Sequence, residues 1–125
     1  MNINKVIIIG RITKNIELKS LTEGTNVANF TVAVGRNWKD KKGNKKEETD
    51  FINIVSFGKQ AEIINQYFIK GQEIYVEGRL KTRSWEDKTG NKRYKTEVIL
   101  EKFDFGQKPK ERLQVEDINI KDIPL

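Results

Sequence analysis

Two short turn signals divide this chain and limit what it can become. Lys41–Lys46 (KKGNKK) and Asp87–Lys92 (DKTGNK) both centre on Gly-Asn, and each separates two strand-like runs. Such a pair marks the tip of a β-hairpin, because glycine and asparagine tolerate the backbone angles a tight reversal needs. Before the first turn, Asn26–Gly35 alternates, with Ala28, Phe30, Val32 and Val34 on one face and Asn29 and Thr31 on the other. After it comes Thr49–Phe57. The second turn joins Ile74–Leu80 to Tyr94–Leu100, where Tyr94, Thr96, Val98 and Leu100 share a face. A first strand is read at Val6–Ile9, extended by Ile12, and Glu17–Ser20 offers a short further piece.

One segment has helical spacing. Between the hairpins, Lys59–Ile69 places Ala61, Ile64 and Phe68 at i, i+3 and i+7, with Ile63 and Tyr67 widening the stripe and Gly71 as the expected C-cap. The order is three strands, one helix, two strands. It fits an all-β fold, the five-stranded Greek-key barrel called the OB-fold, with a short helix between strands 3 and 4. Residues 1–105 are expected to form this domain and 106–125 a short flexible tail. Gln107–Arg112 is polar and carries Pro109, and Leu113–Leu125 is locally acidic, with Glu116, Asp117 and Asp122 against Lys121 alone. No internal repeat is read from the chain. Val6–Ile9 is apolar on both faces, which calls for cover on both sides, either from a helix or loop or from a second subunit.

Composition removes several classes of chemistry. Among 125 residues there is no Cys and no His, so disulfides, thiolate nucleophiles, zinc fingers and imidazole bases are excluded. The serines Ser20, Ser56 and Ser84 have no His to activate them, the carboxylates are scattered, and no GxxxxGK[ST] loop is present. No metal, cofactor or enzymatic activity is expected. The apolar run near the start is too short for a signal segment or a membrane span, so a cytoplasmic protein is the expectation. The net charge of +6 favours a polyanionic partner.

The candidate site lies where cations and aromatics alternate. In Arg79–Trp85 (RLKTRSW), strand periodicity puts Arg79, Lys81, Arg83 and Trp85 on one side, a row of cations ending in an indole. Cations track phosphates and a flat ring stacks on an unpaired base, so this row points to nucleic acid with exposed bases. The first hairpin repeats the theme, with Trp38 followed by Lys39, Lys41, Lys42, Lys45 and Lys46. In the third strand Phe51, Asn53, Val55 and Phe57 share one face and Ile52, Ile54 and Ser56 the other. Both faces are largely apolar, so alternation leaves open which one meets the core.

The blocks NKVIIIGRI, VANFTVAV, RNWKDKKG, TDFINIVSFGKQAE, KGQEIYVEGRLKTRSW and NKRYKTEV together resemble the bacterial-type single-stranded DNA-binding proteins, over roughly residues 4 to 100. The resemblance implies an OB-fold that assembles as a homotetramer and binds single-stranded DNA without sequence preference in replication, recombination and repair. It puts the stacking aromatics at Trp38, Phe51, Phe57 and Trp85, and so turns Phe51 and Phe57 toward DNA and Ile52 and Ile54 inward. The basic positions it implies are Lys5, Lys59, Lys70, Arg83 and the lysines after Trp38; charge extends the set to Arg36, Arg79, Lys81 and Arg93. The apolar first strand would form a dimer surface. The end, Asp122-Ile123-Pro124-Leu125, is similar to the family's acidic Asp-Ile-Pro-Phe tip, which docks on replication and repair proteins, with Leu125 in place of the aromatic. Two alternatives stay open at this level: an OB-fold RNA-binding module, and an accessory protein acting mainly through protein contacts.

Overall fold

The structure, a computed structural model, describes residues 1–21 and 23–107. The tail and its tip Asp122–Leu125 lie outside the described residues. The elements are β1 (Val6–Ile12), β2 (Glu17–Ser20), β3 (Asn26–Lys39), β4 (Lys45–Phe57), α1 (Lys59–Tyr67), β5 (Glu73–Glu86) and β6 (Lys92–Phe105). Strands pair in the order β1-β5-β6-β4-β3-β2, and β1 also pairs with β3. That last pairing closes β1, β5, β6, β4 and β3 into a five-stranded barrel, as the order of turns and helix predicts. All pairings are antiparallel except β4–β6, which is parallel and only two residue pairs long, Ile54 with Val98 and Val55 with Ile99.

β1 and β2 behave as halves of one strand along β3. Ile12 lies opposite Val32 and Glu17 opposite Asn29, so five steps on one side face three on the other, a two-residue bulge. The core follows the alternation. Phe30 and Val32 of β3, Ile54 of β4, Ile74 and Val76 of β5, and Val98 and Leu100 of β6 all point inward with Ile12. Two inward positions are glycines because backbone comes too close for a side chain. A Cβ on Gly10 would collide with the Ala33 carbonyl, and one on Gly78, where the β5–β6 register shifts because β6 carries one extra residue, with the Ile99 carbonyl.

The helix lays Ala61, Ile64 and Phe68 into this core, the stripe the sequence predicts. It ends at Tyr67, two residues short of expectation, and its cap is Phe68, whose extended backbone donates its N–H to the Ile64 carbonyl. Gly71 is therefore not the C-cap. It takes φ 87° in the turn into β5, where its N–H donates to the Ile12 carbonyl. Helix cover for the apolar first strand is also corrected. Val6 and Ile8 pack inward, while Ile7 and Ile9 stand 60% and 55% exposed.

The strands run further than their apolar alternation suggests. β3 and β4 stay in register out to Lys39 opposite Lys45, and β5 and β6 out to Glu86 opposite Lys92. Beyond the barrel each pair continues as an exposed two-stranded arm. Among the described residues no helix is long and apolar enough to cross a membrane, and no cluster of His, Cys, Asp and Glu could hold a metal ion.

Candidate nucleic-acid interface

The two arms end in the same turn. Asp40 and Asp87 each donate a backbone N–H to the asparagine four residues on, and each accepts at its carbonyl from the glycine three residues on. The carboxylate of Asp40 accepts from the N–H groups of Lys42 and Asn44, and that of Asp87 from Thr89 and Asn91. Gly43 and Gly90 both take φ 84°, which a side chain would strain. The Asn44 N–H holds the Asp40 carboxyl below the usual carboxylate range. Asp87 sits lower, at about 2, because the Thr89 hydroxyl and the Arg93 guanidinium also bind it.

Equal geometry reflects equal sequence, and this corrects the reading of no internal repeat. Arg36–Lys46 (RNWKDKKGNKK) and Arg83–Arg93 (RSWEDKTGNKR) agree at seven of eleven positions. In both, the arginine two residues before the tryptophan shares its face and lies over the indole. Arg36 Cζ is 4.5 Å from the Trp38 ring centre, and Arg83 Cζ is 4.9 Å from that of Trp85. Each arginine is tethered across the ribbon, Arg36 to Glu48 at 3.8 Å and Arg83 to Glu97 at 3.0 Å.

All four aromatics named from sequence are exposed, Trp38 37%, Phe51 66%, Phe57 45% and Trp85 41%. β4 directs Ile52 and Ile54 into the core and Phe51 and Phe57 outward. Trp85 shares the outer face of β5 with Arg79, Lys81 and Arg83, since Ile99, not Val98, lies opposite Arg79. Trp38 differs. By register it lies with Arg36 and Val34 on the other face of the β3–β4 ribbon from Phe51. Phe51, Phe57 and Trp85 thus form one outer set, and Trp38 flanks it on the first arm.

The cations fall into three groups. Arg79, Lys81 and Arg83 line a cleft of about 300 Å³ with Val55, Phe57, Asn29, Glu97 and Ile99, so here cations and a stacking ring meet. Lys39, Lys41 and Lys42 stand exposed at the first arm, where Lys39 lines a second basic recess with Trp38, Lys45 and Lys46. The rest are spread out. Lys59 starts α1 and Lys70 lies in the turn after it. Arg93, opposite Trp85, is paired with Asp87 at 2.9 Å, and Arg79 lies 3.9 Å from Glu101. Lys5 donates to Glu77 at 2.7 Å, and the Tyr75 hydroxyl donates to the same carboxylate at 2.6 Å. These bonds hold Glu77 below its usual range, Lys5 first and Tyr75 second, and raise Lys5 and Tyr75.

Sequence reasoning missed the cleft of about 350 Å³ between the arms. Its lining includes the cations Lys14, Lys19, Arg83 and Lys95 and the carboxylates Glu17 and Glu97. Lys95 was within reach, since it keeps step with Arg93 on the outgoing strand. Lys14 sits at the bulge, which no periodicity announces, and Lys19 on the short β2 beyond it.

The closed barrel with one short helix and a basic, aromatic outer face is an OB-fold. The model of the single-strand binding protein family matches residues 3–106, and the chain belongs to that family. It is 46% identical over 103 residues to single-stranded DNA-binding protein 1 of Staphylococcus aureus strain Mu50, a match covering 82% of this chain and 65% of that one. This chain therefore matches just under two thirds of that relative's length. Among solved structures, the Plasmodium falciparum SSB complex with ssDNA superposes with a TM-score of 0.79 at 31% identity, covering 86% of this chain and 97% of the other. A deletion mutant of the single-stranded DNA binding protein from Thermus aquaticus gives 0.75 at 30% identity, covering 84% and 51%.

Proposed function

We propose that the chain binds single-stranded DNA and shields it during replication, recombination and repair, as a cytoplasmic binding protein rather than an enzyme. The observation that carries this reading is the outer face where Phe51, Phe57 and Trp85 stand exposed beside Arg79, Lys81 and Arg83. Bases stack on the rings, and the cations follow the backbone and displace its counterions. Neither contact reads sequence. Duplex DNA hides its base faces, so it binds this face more weakly.

The test is a titration of tryptophan emission with a single-stranded oligomer at two salt concentrations. Emission from Trp38 and Trp85 is expected to quench, with affinity falling as salt rises. Unchanged emission, or tighter binding of a matched RNA oligomer, sinks the reading.

The partner assignments belong to the same proposal. The exposed Ile7 and Ile9 on β1 support self-assembly, to a homotetramer as in the family resemblance. The Asp122–Leu125 tip supports docking of replication and repair proteins, through its likeness to the family's Asp-Ile-Pro-Phe end. A chain truncated after Gln107 should then keep its DNA affinity and lose those proteins in a pull-down.

A further inference from the structure

The two arms repeat one sequence but brace their tryptophans differently. Arg36 lies 3.8 Å from Glu48, a pair whose side chains are 63% and 53% exposed, so the contact is loose and screened by water. Arg83 binds a carboxylate whose side chain is only 7% exposed, Glu97, with Nε donating to Oε1 at 3.0 Å. Register explains the reach. Glu97 lies opposite Lys81 and Lys95 opposite Arg83, so Arg83 crosses diagonally to Glu97. Lys95 Nζ stands 3.7 Å from the second oxygen. Glu97 needs both partners, because a buried charge left unpaired is costly. The guanidinium of Arg83 rests at the same time 4.9 Å from the Trp85 ring centre.

We propose that Glu97 is a positioning residue, holding Arg83 over Trp85 as the back wall of a stacking slot instead of leaving it free to neutralise a phosphate. The inference rests on the single-stranded DNA reading and changes the part Arg83 plays in it. A phosphate that drew Arg83 away would leave Glu97 buried beside Lys95 alone, so exchanging one anion for another gains little. Backbone contact on this face then falls to Lys81, which has no ion pair among the described residues, and to Arg79, whose 3.9 Å pairing with the half-exposed Glu101 is loose. Trp85, braced from behind, keeps its free face ready for a base of any kind, at less ordering cost on binding. Arg36, on its exposed partner, leaves Trp38 of the first arm more adaptable.

The experiment measures the affinity of the full chain for oligo-dT by fluorescence anisotropy across a salt series. Lys81→Gln should flatten the plot of log affinity against log salt by about 0.7, the loss of one single-strand phosphate contact. Arg83→Gln should weaken binding yet leave that slope unchanged, because its amide still donates to Glu97 and no phosphate contact is lost. Arg83→Lys keeps the charge but not the planar fork, and should bind roughly two- to five-fold more weakly at the unaltered slope. Glu97→Gln frees Arg83 and Lys95, so the slope should steepen, and in a Trp38→Phe background the emission of Trp85 should shift as its cation departs. A slope that flattens with Arg83→Gln as far as with Lys81→Gln, full affinity with Arg83→Lys, or an unchanged slope with Glu97→Gln overturns the inference. Should Glu97→Gln not fold, the two Arg83 variants decide, since they alter a half-exposed side chain. Failure of the unaltered chain to bind oligo-dT overturns the DNA-binding reading instead.

Discussion

At the scale of single residues, three side chains make distinct predictions. Trp85 is held at the end of a basic row with Arg83 over one face of its ring, which leaves the other face to a base. Trp85→Ala is expected to weaken single-strand binding by about 1–3 kcal/mol, measured by equilibrium titration at fixed salt. Ser56 is a core residue whose hydroxyl finds no partner among the described residues. Ser56→Ala removes a buried unpaired group without leaving a large void, so it should raise stability by roughly 1 kcal/mol in urea unfolding. Asp87 titrates at about 2 instead of the usual 3.8. Because the folded value is the lower one, its contribution is complete above about 3.8 and fades as pH falls through 2. A carbon-13 titration of its carboxyl should show that midpoint, with the protection factors of the Thr89 and Asn91 amides falling over the same window.

At the scale of elements, the hairpins were legible and their reach was not. The Gly-Asn turns located both tips, because the positive φ of Gly43 and Gly90 has a recognisable chemical signature. Below the first tip the apolar alternation is lost, so the strands there are read only to Gly35 and from Thr49, whereas strand periodicity carries the incoming side of the second arm through the basic row to Trp85. Ladder hydrogen bonds and the turn carboxylates hold the arms, and neither depends on hydrophobic period. Which face of Thr49–Phe57 meets the core was undecidable from alternation, since Ile52 and Ile54 oppose Phe51 and Phe57 with nearly equal apolarity. Only the family resemblance pointed to the orientation found. The likeness of the two arms was present in the letters but became plain only when their hydrogen bonds coincided. Gly43→Val and Gly90→Val force a branched side chain into φ 84°. Each should loosen its own arm at a cost of roughly 1–2 kcal/mol and leave the barrel folded, seen as lost amide protection confined to that arm.

At the scale of the whole molecule, the outer face of β1 remains exposed among the described residues. The sequence left cover by a helix or loop and cover by a second subunit open for Val6–Ile9, and among the described residues α1 does not supply it, because its apolar stripe packs on the barrel core. Replacing Ile7 and Ile9 together by Lys alters two exposed positions and should leave the fold intact. Sedimentation velocity should then show smaller assemblies than the unaltered chain forms, and unchanged sedimentation would assign the patch another role.

The parallel seam between β4 and β6 has a mechanical consequence. Only two residue pairs join the β3–β4 arm to the β5–β6 arm there. From Val55 to Lys45 the first arm projects about 30 Å at ordinary strand rise, and from Ile99 to Lys92 the second projects about 20 Å. By lever geometry, any change of angle at Ile54 and Val98 would be magnified at the tips, so a polymer strand bound to both arms would fix their separation.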